Sequence, residues 1–120
     1  MNSKIIPILR IFDYGKMVEF YVNWLGFAID WEHRFFEGAP VYLQVTKGDI
    51  TLHLTEHLGD GCPGARLRIE TAGVEAYQKE LMEKNYRCRP GLKKDWNGMP
   101  CVTVPDPFGN QITFVDAKNQ

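Results

Sequence analysis

LGDGCPG, residues 58–64, packs three glycines and a proline into seven positions almost at the midpoint of a 120-residue chain. Glycine accepts either sign of φ and proline has no amide to donate, so neither a helix nor a strand ladder runs through such a stretch. It reads as a linker, and its flanks decide the fold. Just before it, residues 50–57 (ITLHLTEH) place apolar and polar side chains in alternation, and just after it residues 65–71 (ARLRIET) do the same. A period of two is the mark of a strand.

Working outward toward the N-terminus, residues 41–46 are another strand, joined to 50–57 by the compact turn Lys47-Gly48-Asp49. Glu37-Gly38-Ala39-Pro40 breaks the chain before it. Across residues 27–36, Phe27, Ile29, Trp31, His33 and Phe35 share one face while Asp30, Glu32 and Arg34 share the other. That alternation predicts a strand. Met17, Phe20, Tyr21, Trp24 and Leu25 recur at three- and four-residue spacing, which predicts an amphipathic helix with Asp13 at its N-cap and Gly26 at its end. Residues 4–11, short, rich in Ile and Leu and broken by Pro7, read as a first strand at an edge or crossover.

Outward toward the C-terminus the order repeats. After strand 65–71 comes a helix over 74–84 with Val74, Tyr77, Leu81 and Met82 on one stripe, then a turn-rich stretch through Pro90-Gly91. A strand near 99–104, the turn Asp106-Pro107-Phe108-Gly109-Asn110 and a strand over 111–116 complete the half. An internal repeat is the economical reading. The expected class is α+β: two βαβββ modules whose curved mixed sheets form a concave groove, with helices outside. The halves are 1–57 and 65–120, the linker is 58–64, and together they make one domain over 1–120 with a core of ordinary size. A ligand would sit in the groove.

Totals narrow the function classes. Fourteen basic and fifteen acidic residues give a net charge of −1, unlike the basic excess of a nucleic-acid binder. Three cysteines, Cys62, Cys88 and Cys101, form an odd set without CxxC spacing, which points away from a disulfide framework and toward a reducing cytoplasm. Met1 to Lys4 lacks the pattern of a secretory signal, and no apolar run approaches the roughly 18–20 residues of a membrane helix. No GxSxG elbow, phosphate-binding loop or dinucleotide-binding glycine pattern is present. Cys88 lies between Arg87 and Arg89, and an inert thiol is expected there.

Four segments resemble the glyoxalase/bleomycin-resistance (vicinal oxygen chelate) superfamily: LRIFDYGKMVEFYVNWLGF (9–27), GDITLHL (48–54), RIETAGVEAYQKEL (68–81) and VPDPFGNQITFVD (104–116). The FY…LGF spacing and the DPFGN turn are its commonest marks, and the resemblance spans nearly the whole chain, least securely 93–98. Metal-dependent members carry four ligands, one on each of four strands. Carried over, those positions are Ile6, His53, Arg66 and Thr113. Ile6 has no donor, Arg66 is a permanent cation and Thr113 a poor neutral ligand, so only His53 qualifies. A catalytic metal needs about three protein ligands. The resemblance therefore implies the metal-free, bleomycin-resistance-like branch, with no cofactor and no catalytic residue.

Alternation nominates the groove lining: Thr51, His53 and Thr55; Tyr42 and Gln44; Arg66, Arg68 and Glu70; Gln111 and Thr113. Trp31, Phe35, Phe36 and Trp96 are expected to clamp a planar ligand. His53, Trp31, Phe35, Tyr42, Gln44, Arg66, Arg68, Trp96 and Thr113 are the ligand-binding candidates. What the resemblance implies is a homodimer, with the first strand exchanged in some members, that sequesters a bleomycin-type antibiotic. Alternatives are a metal-dependent lyase, isomerase or dioxygenase of the same fold, or a binder of another endogenous ligand. Bleomycin-type drugs are cationic, and Arg66 with Arg68 would make this floor basic.

Overall fold

Two four-stranded mixed sheets organise residues 1–116, which the computed structural model describes. The chain divides into two compact units between Pro63 and Gly64. The first contains β1 (Ile8–Arg10), α1 (Tyr14–Met17) continuing as a π-helical segment (Val18–Trp24), β2 (Ala28–His33), β3 (Tyr42–Lys47) and β4 (Ile50–Thr55). The second contains β5 (Arg66–Thr71), α2 (Val74–Glu83), β6 (Lys93–Lys94), β7 (Pro100–Pro105) and β8 (Gln111–Asp116). Each is βαβββ, the expected plan, and the class is α+β; in the second unit the two-residue β6 is a strand that alternation did not mark.

The sheets have the same plan, β1-β4-β3-β2 and β5-β8-β7-β6. In each, the first strand runs parallel to the last and the other pairs are antiparallel. Ile8 pairs with His53 and Arg66 with Gln111, so the parallel partner lies 45 positions along in both units (8 to 53, 66 to 111). The β3–β4 hairpin turns through Gly48 and Asp49, with Gly48 at φ 59°, a left-handed value that glycine adopts without steric cost.

The core follows the two periodicities. On the first helix Met17, Phe20, Tyr21 and Trp24 are buried, and Leu25 caps the π segment by donating its N–H five residues back to the Phe20 carbonyl at 2.9 Å. Phe20 meets Tyr21 edge-on at 4.9 Å, and Tyr21 meets Phe27 at 6.4 Å. Leu43, Val45, Leu52 and Leu54 supply the buried face of β3 and β4. In the second unit Val74 and Leu81 are buried on α2 and Val102, Val104, Ile112 and Phe114 on β7 and β8, with Tyr77 edge-on to Phe114 at 5.1 Å.

Two strand boundaries differ from the expectation. The first strand begins at Ile8 rather than residue 4, where Pro7 has no amide to donate; its carbonyl accepts the His53 N–H at 2.9 Å. β2 stops at His33 rather than running to 36, because its ladder partner there, Tyr42, is the first residue of β3. No helix among the described residues is long and apolar enough to cross a membrane.

Candidate functional site

On the first sheet, β4 presents His53 between Gln44 and Tyr42, both supplied by β3. One carboxylate sets the direction of every hydrogen bond in this group. Asp30 only accepts when ionised, so the Gln44 amide nitrogen must face it, donating to Oδ2 at 3.0 Å, while the Thr46 hydroxyl donates to Oδ1 at 3.1 Å. Gln44 then turns its carbonyl oxygen toward His53 Nε2, 2.9 Å away, so that nitrogen carries the proton. Nδ1 is left bare and accepts from the Tyr42 hydroxyl at 2.8 Å. His53 is thereby fixed as the neutral Nε2–H tautomer.

The electrostatics agree with that geometry. Burial, with the nearby Lys4 cation adding to it, holds the His53 pKa below its ordinary 6.5. Burial, followed by the Asp60 charge, pushes Tyr42 above its usual 10.0, so its hydroxyl remains a donor. Trp31 completes the cluster: its ring lies 9° from parallel to Tyr42 at 6.1 Å, and His53 stands edge-on to both, at 5.3 and 5.2 Å. Trp31 remains 42% exposed, so the aromatic face is open.

A bulge in β2 assembles this face. Ile29 opposes Val45 and Trp31 opposes Gln44, leaving Asp30 as an extra residue between them. The expected strict alternation puts Asp30 and Trp31 on opposite faces; the bulge brings both to the Gln44 side. Other nominated residues fall outside the cluster, Thr51 being buried at 6% exposure and Phe36 lying past the end of β2. Phe35 lies beyond the end of β2, 76% exposed, with its ring edge-on to His33 at 4.9 Å and His57 at 6.0 Å. Thr55 is fully buried rather than open: its hydroxyl donates to Asp60 Oδ2 at 2.9 Å and accepts the His57 N–H at 3.0 Å.

On the second sheet Arg66, Arg68, Trp96 and Thr113 come together around a cavity of about 400 Å³, with Leu67, Asp95 and Thr103 completing its lining. Arg68 donates to Asp95 Oδ2 at 3.1 Å and to Glu70 Oε2 at 3.2 Å. Its guanidinium lies 4.6 Å from the Trp96 ring centroid. Asp95 is held below the usual carboxylate range, foremost by the Met99 amide and then by Arg68 and the Asn97 amide. Thr103 and Thr113 share a hydrogen bond of 2.9 Å.

Asp30, Thr46, Asp95 and Thr103 are site residues missing from the nominated set, although alternation places Thr46 on the Gln44 face of β3 and Thr103 opposite the buried Val102 and Val104. A bulge leaves no trace in a hydrophobic pattern, so Asp30 was not recoverable. Asp95-Trp96-Asn97-Gly98 was: an aspartate two residues ahead of Asn-Gly is a turn signal.

The four positions implied for a metal do not fit a divalent ion. Both ring nitrogens of His53 are engaged by neutral partners, Ile6 has no donor, Arg66 is cationic, and the Thr113 hydroxyl is tied to Thr103. Among the described residues no three His, Cys, Asp or Glu side chains gather as a metal site. Burial pushes the Cys88 thiol up, against the opposing effect of Arg87, which weakens it as a nucleophile.

A family model described as glyoxalase superfamily protein matches residues 1–120. Among solved structures, SMU.1112c superposes with TM-score 0.74 at 25% identity, covering 97% of this chain and 99% of that one. A glyoxalase/bleomycin resistance protein from Streptomyces sp. CB03234 gives TM-score 0.72 at 25% identity, covering 95% and 100%. A bleomycin-binding protein complexed with bleomycin gives TM-score 0.71 at 16% identity, covering 98% and 100%. No curated protein matches the chain.

Proposed function

Because the chain belongs to the glyoxalase superfamily, we propose for it the role its own side chains support within that family: reversible, non-catalytic capture of a small planar molecule. One observation carries the reading. Trp31, Tyr42, Gln44 and His53 converge on one sheet face, an aromatic surface whose hydrogen-bond directions are fixed before any ligand arrives. Preorganisation of that kind favours binding, since little ordering remains to be done. The same hydrogen bonds speak against base catalysis, because His53 has no lone pair free of Tyr42.

The likeness to a bleomycin-binding protein makes bleomycin the first molecule to try. The proposal extends to a homodimer in the cytoplasm, with the short first strand as the segment available for exchange; three free cysteines are in keeping with that compartment.

The test is a thermal-shift and calorimetric titration of the purified protein. Bleomycin at about 100 times its Kd should stabilise the fold by about 2.7 kcal/mol, seen as a rise in Tm. His53→Ala should cut the affinity about tenfold by removing the imidazole that ties Tyr42 to Gln44 on this face. Unchanged affinity in that variant would remove the first sheet from the site. A stoichiometric divalent ion in the purified protein would overturn the non-catalytic reading.

A further inference from the structure

We propose that the cavity on the second sheet is an anion-selective subsite for a planar aromatic monocarboxylate, with Arg66 holding the carboxylate and Trp96 carrying the ring. The inference rests on the capture reading above and specifies its ligand class.

The charges on this face do not cancel evenly. Arg68 is neutralised twice over, by Asp95 and by Glu70. Arg66, two residues earlier on the same face of β5, forms no ion pair among the described residues. Its partner across the ladder is the neutral Gln111. One exposed guanidinium therefore faces the cavity without an ion-pair partner, and its planar fork of donors matches a carboxylate in two-point contact.

The hydroxyls add a second donor. In the Thr103–Thr113 pair one O–H is spent on the other oxygen, which leaves one proton and the remaining lone pairs for a ligand. Arg66, Arg68, Asp95 and Glu70 balance in charge, so what Arg66 and this hydroxyl supply is one guanidinium without an ion-pair partner and a few donors, enough for one carboxylate.

Trp96 is the least expected feature. It is 79% exposed, yet it is set on a rigid turn. Asp95 Oδ1 accepts the Asn97 and Met99 amides at 2.9 and 3.0 Å, and the backbone of Asp95 is bonded to Met99 and Gly98 at 2.9 Å each. The Asp95 side chain itself is only 6% exposed, locked beneath Arg68. Arg68 covers one face of the indole and the other is left for a ring to stack on. A large aromatic set in the open on a hydrogen-bonded turn, beside an unpaired cation and a 400 Å³ cavity, has the parts of a site for an aromatic anion. That volume lies at the lower end of ligand pockets and suits a ring system of about two rings.

The experiment is calorimetric titration of the full chain with three probes of one shape: 2-naphthoate, 2-naphthamide and 2-naphthylmethylammonium. The acid should bind about tenfold or more tightly than the amide, and the ammonium more weakly than either. Arg66→Gln should abolish the preference for the acid, Arg66→Lys should retain part of it, and rising salt should reduce it. Trp96→Ala should weaken acid and amide alike. Arg66 is exposed, so these variants keep the fold, which circular dichroism verifies. Equal affinity for acid and amide, a preference that survives Arg66→Gln, or no binding of any probe at millimolar concentration would each overturn the proposal. A parallel bleomycin titration separates the two claims. Bleomycin binding that is sensitive to His53→Ala, without acid selectivity, removes the ligand class and leaves capture standing; no binding of bleomycin or of any naphthyl probe removes both.

Discussion

At the scale of single residues, Asp30 dictates the state of a histidine it does not touch. Its carboxylate orients Gln44, and Gln44 in turn gives His53 its Nε2–H tautomer. As the pH falls, the unfolded chain takes up the proton first, near 6.5, because burial and Lys4 depress the folded value. The stability contributed by the neutral ring is thus complete above pH 6.5 and is lost as acidity carries the solution down through the folded pKa. An NMR titration of the His53 imidazole should give a midpoint below 6.5 with the Nε2–H tautomer above it; a midpoint above 6.5 would contradict the geometry. Asp106 sets a second residue-scale expectation. It is 6% exposed, and it accepts the Phe108 and Asn110 amides at 2.8 Å each and the Asn110 side chain at 2.9 Å. Asp106→Ala strands these buried donors and should cost about 3 kcal/mol in urea unfolding.

Among the elements, β2 gives the sharpest expectation. Its bulge inserts Asp30 between two residues that otherwise pair in regular register. Deleting Asp30 should therefore leave Ile29 opposite Val45 and Trp31 opposite Gln44, and circular dichroism should show an intact fold. Gln44 and Thr46 lose their acceptor, however, so His53 is no longer held to one tautomer, and bleomycin affinity should fall. Deletion of Glu32 is the contrasting control: it swings His33 to the other face and should destabilise the sheet. Apart from the two-residue β6, the strands and helices were legible in the sequence, since Met17, Phe20, Tyr21 and Trp24 declare a helix and Thr51 to Thr55 a strand by spacing alone. The bulge was not, because it arises from how two strands meet and no local pattern encodes it. The end of β2 was hidden for the same reason: His33 is its last paired residue only because β3 starts at Tyr42.

Over the whole molecule, the cysteines report on burial. Cys62 is exposed beside the Pro63 boundary, Cys88 is half-buried and Cys101 is buried on β7. Titration with a thiol reagent should label Cys62 within seconds and Cys88 more slowly, and Cys101 only when urea unfolds the second unit; a native Cys101 as fast as Cys62 would contradict its placement. The two-module order was readable because the glycine-rich stretch at 58–64 divides two similar patterns. The family marks pointed to the same plan, and the candidate site was readable in its residue types, though Phe35 was misplaced by extending a strand past its partner. The equal 45-position spacing of the parallel pairs has a consequence for how the chain acquires its shape. The hairpins β3–β4 and β7–β8 close over short turns and should assemble early, with β1 and β5 docking later because their partner edges are synthesised 45 residues after them. Weakening either opening strand should consequently hasten the native protein's loss of structure far more than it delays its first formation.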